Sequence, residues 1–271
     1  MEQPYRSIKV ERDAGVATVT LNRPERMNVL NSEVLQELDR ALEKLARDEE
    51  CRAVVFRSTS EKAFTAGADI REMRELDPAG AKAFAELGHR VAMRLERELP
   101  AVVMAANGYV MGGGVELACA CDFRIASEDA VFSQPEINIG IFPGWGGSQR
   151  LARVIGLPRA RELIYTGRRI NAMEALGLGL VHAVVPKAEL YPRALALATE
   201  LASKSRPALM AAKRAMNVVG ELSLTAGLEF ERQNWALLFG GEDQIEAMTA
   251  FLEHREPRYR RPPPEPKENA G

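Results

Sequence analysis

The sequence predicts an α/β core followed by an α-helical C-terminal part, and two patterns lead to this prediction. Short apolar runs of strand length alternate with amphipathic segments of helical period through most of the 271 residues. From Lys187 onward the pattern is helical. Strands that alternate with helices are typical of an α/β core, and the closing run of helices indicates a further helical region.

The first elements are a hairpin and a helix. Residues 7–11 and 16–21 alternate apolar and polar side chains on either side of a short turn, which predicts two antiparallel strands. Ser32 is the expected N-cap of an amphipathic helix that ends near Asp48, because leucines recur there at helical spacing. The later elements are expected, in chain order, as a strand at 53–56, a loop at 64–70, a helix at 79–97, a strand at 101–106, a short helix after the glycines at 112–114, strands at 123–126 and 130–132, a helix through Arg153, and a last strand at 181–185.

Composition narrows the class of protein. The formal net charge is −2 and the pI is about 6.1, so no nucleic-acid partner is expected. Three cysteines, an odd number, do not suggest a disulfide framework and fit a reducing compartment. The first residues lack the apolar region of a signal peptide, and no run approaches the roughly 20 apolar residues of a membrane span. We therefore expect a soluble cytoplasmic protein with no membrane partner.

A run of three glycines, Gly112-Gly113-Gly114, stands between a strand-like segment and a short apolar helix. Glycine lets backbone N–H groups approach a ligand, and the first N–H groups of a helix have no partner within it. No Lys, Ser or Thr of a phosphate-binding loop is present, and Glu116 lies on the helix face of the Gly113 N–H. The stretch therefore pairs an oxyanion donor with a potential general base. The alternative is a tight turn followed by a glutamate that only compensates the helix dipole.

Several motifs follow one another along the chain. They are Ala66-Gly67-Ala68-Asp69-Ile70, Asn107-Gly108, Gly113-Gly114-Val115-Glu116-Leu117-Ala118, Gln134-Pro135-Glu136, and residues 143–151, 166–170 and 175–181. Together and in this order they resemble the enoyl-CoA hydratase (crotonase) family, and the resemblance covers about residues 6–256.

The resemblance implies a fold, an assembly and a substrate class. We expect a crotonase-like ββα spiral core over residues 1–200 and a C-terminal α-helical trimerisation region over 201–256, with trimers that commonly pair into hexamers. Residues 257–271, which are rich in proline and charge, are expected to form a mobile tail. Substrates of the family are coenzyme A thioesters, so coenzyme A enters as part of an acyl-CoA substrate and no separate cofactor is expected.

Carried over by position, the oxyanion hole of the family falls on the backbone N–H groups of Ala68 and Gly113. Hydratases of the family use two glutamates, and Glu116 and Glu136 fill both positions here. Water addition to a 2-enoyl thioester needs a base for the water and an acid for C2, and two carboxyl groups around one water supply both. The resemblance thus implies an enoyl-CoA hydratase, and it leaves open which glutamate is the base.

Two alternatives stay open. Members of the family that act as isomerases or as other acyl-CoA lyases often keep only one of the two glutamates, so the pair disfavours this class. Some relatives bind RNA through a lysine-rich first helix. Residues 33–50 hold seven acidic and three basic side chains, which would repel a phosphate backbone.

Other candidates are supported by position alone. The substrate-binding loop would include Ala66, Gly67, Asp69 and Ile70, with Asp69 expected to cap or brace the loop. Three cations, Lys62, Arg71 and Arg26, stand near where the family contacts the phosphates and adenine of coenzyme A, with solvated surface charge as the alternative.

Three residues fall at positions that contact a neighbouring subunit in the family, and the histidines of the chain bear on metal binding. Trp235 and Phe239 fall where adjacent subunits of the family lend aromatic side chains, with core packing as the alternative. His254 stands where relatives often carry a lysine that reaches a neighbour's coenzyme A. The three histidines of the chain are scattered and have no metal-ligand spacing, so no metal is expected.

Overall fold

A computed structural model describes residues 5–259, which form two β-sheets surrounded by helices. The strands are β1 (Ile8–Asp13), β2 (Val16–Leu21), β3 (Ala53–Ser58), β4 (Ala63–Thr65), β5 (Ala101–Ala106), β6 (Tyr109–Met111), β7 (Phe123–Ser127), β8 (Val131–Ser133), β9 (Ile170–Asn171) and β10 (Ala183–Val185). The helices are α1 (Ser32–Arg47), α2 (Ile70–Met73), α3 (Pro78–Met93), α4 (Gly113–Ala120), α5 (Gly147–Ile155), α6 (Leu157–Thr166), α7 (Ala172–Gly177), α8 (Leu190–Ala202), α9 (Arg206–Asn217), α10 (Leu224–Ala236) and α11 (Glu242–Leu252).

The larger sheet has the strand order β1-β2-β3-β5-β7-β10 and is parallel except for the β1–β2 hairpin. Its two faces pack against different helices because successive side chains of a strand point to opposite sides. Val54 and Phe56 of β3 face a core shared with α1 and α3, whereas Val55 faces a second core that α8 covers. Burial on both faces explains why the central strands are continuous apolar runs.

The smaller sheet has the order β4-β6-β8-β9, and of its strands only β8 was expected from the sequence, at 130–132. Its first three strands have only three residues each, too few for an alternating pattern to stand out. β4, β6 and β8 pair in parallel, so their C-terminal ends meet at one edge. The loops that follow them at that edge carry Ala68, Gly113 and Glu136.

Two boundary predictions need correction. The helix α1 begins at Ser32, but its N-cap is Asn31, whose side chain accepts a hydrogen bond from the Val34 N–H. The capping residue must keep an extended backbone, and Asn31 has φ −99° and ψ 177°. The helix expected at 79–97 is α3 followed by a π-helical turn at Arg94–Glu98. The predicted hairpin is confirmed, and so are a helix ending next to Asp48 and the strand at 101–106.

A buried lysine is among the residues that hold the helix α9 against the core. Lys213 donates to the backbone oxygens of Leu95 at 2.8 Å and Pro100 at 3.2 Å, and it pairs with the Asp122 carboxylate at 2.8 Å. A buried ammonium needs such partners, because an unpaired charge away from water is very costly. The first helix after residue 200 is therefore packed against the core.

The last two helices differ from α9 because they contribute almost nothing to the core of one chain. None of the residues of α10 is buried, and α11 buries only Ala250. Trp235 is 61% exposed, and its ring centroid lies 4.5 Å from that of Phe239, which is also exposed. Core packing, the alternative for these two aromatic residues, is therefore wrong within the single chain.

The structure bears on the expectation about membrane-spanning helices, but not on those about the tail and the domain boundary. Within residues 5–259, no helix is long and apolar enough to cross a membrane. The expected Pro-rich tail lies outside the described residues from residue 260 onward. The domain boundary near residue 200 stays a prediction.

Candidate active site

The loop after β4 is held in place by hydrogen bonds and by a glycine. Thr65 donates its hydroxyl to the Asn28 backbone oxygen at 2.6 Å and accepts the Gly67 N–H at 3.1 Å. Gly67 has φ +95°, and a Cβ there would lie 3.0 Å from the Met111 carbonyl oxygen and 3.9 Å from the Gly112 Cα. The loop therefore packs directly against the chain that enters α4, and it requires glycine at this position.

Two backbone N–H groups at this junction have no acceptor. The neighbours on either side of Ala68 do have one. Ala66 donates to the Met27 oxygen at 2.9 Å and Asp69 to the Leu30 oxygen at 3.0 Å. In the described part of the chain, neither the Ala68 N–H nor the Gly113 N–H donates a hydrogen bond. Because a Cβ on Gly67 would lie only 3.9 Å from the Gly112 Cα, the two free donors lie on adjoining segments, as an oxyanion hole requires.

Glu116 lies in the first turn of α4 and is 2% exposed. Its Oε1 accepts the backbone N–H groups of Trp145 and Gly147, both at 2.7 Å. This second loop is itself held by Arg150, whose Nη1 donates to the Trp145 oxygen at 3.0 Å and whose Nη2 lies 2.8 Å from Glu96. One carboxylate oxygen of Glu116 is thus fixed by the protein, which sets the orientation of the other.

Glu136 approaches the same junction from the far side. It belongs to a 3₁₀ turn at Pro135–Ile139, directly after β8. A Cβ on Gly112 would lie 2.8 Å from Glu136 Oε1, so the missing side chain there makes room for the carboxyl group. With its amide nitrogen turned toward acceptors, Gln134 donates to Glu136 Oε1 at 3.0 Å and to Oε2 at 3.1 Å. The two glutamates therefore flank the start of α4.

The pKa values of both carboxyl groups are raised from the ordinary value of 4.5 toward neutral pH. Burial raises the pKa of Glu116 to about 7, although its two backbone donors and the charge of Arg150 act in the opposite direction. Burial, and then the negative charge of Glu116, raises the pKa of Glu136 to about 7. Because the two groups repel each other when both are ionised, the pair loses its protons in two steps. Near neutral pH it can offer one carboxylate and one carboxylic acid.

The indole of Trp145 closes one side of this arrangement. The ring is 3% exposed and packs edge-on against Phe84, with ring centroids 5.3 Å apart. A Cβ on Gly113 would overlap the six-membered ring. The side chain therefore lies directly beside the Gly113 backbone, although sequence reasoning gave Trp145 no role of its own.

The loop residues proposed to bind substrate lie around the two free N–H groups. Asp69 caps α2, since its Oδ1 accepts the Arg71 N–H at 3.0 Å, as expected for a residue that braces the loop. Ile70 is exposed at the start of α2. Ala66 and Gly67 form the turn before Ala68.

The contacts of three cations with coenzyme A, expected from the sequence, stay predictions. Lys62 precedes β4, Arg71 lies in α2, and Arg26 ends a 3₁₀ turn next to Met27, whose oxygen binds the loop. All three are exposed, and none forms an ion pair within residues 5–259. Arg23, which was not predicted, has a buried Nη1 without a partner in that same range.

The last two sequence predictions concern the position of His254 and the absence of a metal site. His254 follows α11 in a left-handed backbone conformation, φ 56°, and is exposed. Its contact with a neighbouring subunit's coenzyme A stays a prediction. Among the described residues, no three His, Cys, Asp or Glu side chains are grouped closely enough to hold a metal ion.

A family profile and several known proteins are similar in sequence to this chain. A family profile described as "Enoyl-CoA hydratase/isomerase" matches residues 11–262. The chain is 42% identical over 249 residues to a short-chain-enoyl-CoA hydratase of Clostridium acetobutylicum, covering 92% of this chain and 95% of that protein. It is 39% identical over 255 residues to a crotonyl-CoA hydratase of Syntrophomonas wolfei, covering 94% and 98%.

Solved structures show the same likeness. An enoyl-CoA hydratase from Bacillus anthracis, 38% identical, superimposes with a TM-score of 0.90 over 94% of this chain and 99% of that chain. The prediction of a crotonase-like α/β fold with C-terminal helices is thereby confirmed. With the profile match spanning nearly the whole sequence, the chain belongs to the enoyl-CoA hydratase/isomerase family.

Proposed function

We propose that this protein is an enoyl-CoA hydratase that catalyses the reversible syn addition of water across the 2,3 double bond of a 2-enoyl-CoA thioester. The observation that carries the proposal is a pair of carboxyl groups with raised pKa values, the buried Glu116 and the half-buried Glu136, on either side of two unused backbone donors. The names of relatives with similar sequences, an enoyl-CoA hydratase and a crotonyl-CoA hydratase, support the same activity.

The proposed reaction uses each group once. The thioester oxygen accepts hydrogen bonds from the Ala68 and Gly113 N–H groups, which stabilise the enolate character that develops as water attacks C3. One carboxylate removes a proton from the water, and the other, protonated, gives a proton to C2. The oxygen and the proton arrive from the same side because both carboxyl groups flank one water. The product is a 3-hydroxyacyl-CoA thioester, and the pair ends with one proton, as it began.

Isomerase or other lyase chemistry is the second candidate. Proton transfer between two carbons of the substrate needs only one well-placed acid–base group. Two carboxyl groups at one junction, each with its pKa raised to about 7, favour water addition over this alternative. Loss of enoyl absorbance with crotonyl-CoA, together with a 3-hydroxy product, would distinguish hydration from isomerisation.

The coenzyme A moiety is proposed to lie along the loop from Ala66 to Ile70. Lys62, Arg71 and Arg26 are exposed and form no ion pair within residues 5–259, which suits them to phosphate groups. A cytoplasmic location also stays a proposal, in keeping with three cysteines that remain free thiols in the structure.

We also infer that the chain self-associates into a trimer or hexamer through its last helices. α10 buries no residue within one chain, and large apolar side chains of this region are exposed. Contiguous exposed apolar surface of this kind marks interaction sites. Exposed apolar residues of this region include Leu224, Leu228, Trp235, Leu237, Phe251 and Leu252.

The assembly prediction can be checked by multi-angle light scattering on the active protein. We expect a particle of three or six times the chain mass of 29.8 kDa. Leu228→Glu, on the exposed surface of α10, should shift the particle toward smaller species, whereas an exposed α1 substitution, Arg40→Glu, should not. A fully active monomer would contradict the inference.

Removing either carboxyl group should stop turnover without unfolding the protein. Glu116→Gln and Glu136→Gln should each lower kcat by on the order of a hundredfold, because Gln can neither accept nor supply the proton. The double variant should fall well short of the product of the two losses, since both groups act on one water. Steady-state kinetics alongside circular dichroism would check this, with exposed Glu25→Gln as the control. Near-native turnover in either single variant would exclude the two-carboxyl mechanism.

The free Ala68 N–H can be tested by replacing its amide with an ester, using lactate in place of alanine. The oxyanion hole would lose one donor, so kcat should fall by about a hundredfold or more. Stability should fall little, because only the Gly67 carbonyl becomes a weaker acceptor for the Leu30 N–H.

The matched control for the ester is the same change at Ala66, whose N–H donates to the Met27 oxygen. There we expect a larger loss of stability and a smaller loss of kcat per folded molecule. Equal kinetic effects at both positions would remove the oxyanion hole from Ala68.

The elevated pKa of Glu116 predicts a dependence of stability on pH. Its folded pKa, about 7, exceeds the ordinary value of 4.5, so the stability it contributes below about pH 4.5 is lost as the pH rises through 7. Glu116→Gln removes this loss. The gain in unfolding free energy should therefore be larger at about pH 8 than at about pH 5, by roughly 2 kcal/mol. Urea denaturation at both pH values would measure it, and a gain that is equal at both would show that Glu116 is not shifted.

A further inference from the structure

The indole of Trp145 fills the space between two helices. Its five-membered ring faces Gly88 in the middle of α3, and its six-membered ring faces Gly113 at the start of α4. A Cβ at either glycine would overlap the ring, and Phe84 covers its edge. The side chain therefore spans the whole gap between α3 and α4, and only 3% of it is exposed.

Gly88 supports the view that this space is reserved for the indole. It lies in the interior of α3 with an ordinary helical backbone, so no turn or positive φ requires glycine there. An interior glycine costs a helix stability relative to alanine. The indole that occupies the position of the missing Cβ accounts for that cost.

The indole cannot swing away easily because its backbone is held on both sides. The Trp145 N–H donates to Glu116 Oε1, and the Trp145 oxygen accepts from Arg150, which is in turn paired with Glu96. The side chain starts at the residue that orients the catalytic carboxyl group, and it ends against the backbone of the proposed oxyanion donor. It is therefore a fixed wall of the reaction centre.

We propose that Trp145 closes the acyl pocket between α3 and α4 and, together with Gly88, restricts the enzyme to short-chain 2-enoyl-CoA thioesters. This inference rests on the proposed hydratase function. With the thioester oxygen on Gly113 and the double bond between the two glutamates, an acyl chain that continues toward α3 meets the indole. A pocket closed by a rigid side chain discriminates by about tenfold or more against each added group that does not fit.

The experiment compares kcat/KM for crotonyl-, hexenoyl-, decenoyl- and hexadecenoyl-CoA. For the unmodified protein, we expect kcat/KM to fall by at least about tenfold between crotonyl- and decenoyl-CoA. Trp145→Ala should raise the ratio of decenoyl- to crotonyl-CoA kcat/KM by about tenfold or more, and Trp145→Phe should give a smaller rise. If Trp145→Ala does not fold, Trp145→Phe, which keeps a ring against Phe84, carries the same test.

Gly88→Ala provides a control for the geometry of the wall. In the unmodified protein the added Cβ would overlap the indole and should lower stability and turnover, whereas in Trp145→Ala it should be tolerated. The ratio of decenoyl- to crotonyl-CoA kcat/KM should be lower in the double variant than in Trp145→Ala, because the new methyl group refills part of the opened space. Additive effects of the two substitutions would contradict the shared packing.

The outcomes separate this inference from the function on which it rests. If the unmodified protein hydrates decenoyl-CoA as well as crotonyl-CoA, or if folded Trp145→Ala keeps the original ratio, Trp145 is not the wall and the hydratase function stands. If no enoyl thioester of any length is hydrated, the proposed function is wrong and the inference is overturned with it.

Discussion

The two hydrogen bonds that Glu116 Oε1 accepts from the Trp145 and Gly147 N–H groups are the contact on which the site depends. They join the start of α4 to the loop before α5, two segments that are distant in sequence. They compensate part of the cost of burying a carboxyl group, yet burial still leaves its pKa near 7. The same contact fixes the orientation of the Glu116 carboxyl group and the position of the Trp145 indole, and it helps to set the pH at which Glu116 titrates.

Close packing of glycines around this contact determines what the junction can hold. Gly112 leaves room for Glu136, Gly113 for Trp145, and Gly147 for Glu116, whose Cγ would lie 3.0 Å from an added Cβ. Glycines are thus required here for space as much as for backbone freedom. The helix dipole at the start of α4 adds a favourable field for an oxygen that gains negative charge, but a short buried helix supplies it only at its first turn.

The sequence predicted the larger sheet and the first helix because their apolar periods are long enough to be unambiguous. The motif resemblance also named Ala68, Gly113, Glu116 and Glu136, and the structure brings these four residues to one junction. Their roles stay predictions. The strands β4, β6 and β9 of the smaller sheet escaped prediction because strands of two or three residues have no measurable period. Trp145 lies inside a matched motif, but the space that its indole fills depends on Gly88 of α3. No local sequence pattern relates residues so far apart. Similarly, nothing in the periodicity of α10 distinguishes a helix that packs on its own core from one left exposed.

The buried position of Lys213 has a consequence for how the C-terminal helices can move. Its ammonium group is held by two backbone oxygens and by Asp122, so α9 cannot leave the core without breaking all three interactions. A movement of α10 and α11 as one unit relative to α9 would therefore require backbone rotation in residues 218–223. Gly220, with φ +84°, is the residue in that segment whose backbone is least restricted by a side chain. Adjustment of the last two helices to a neighbouring surface at this segment would leave the contacts around Glu116 intact.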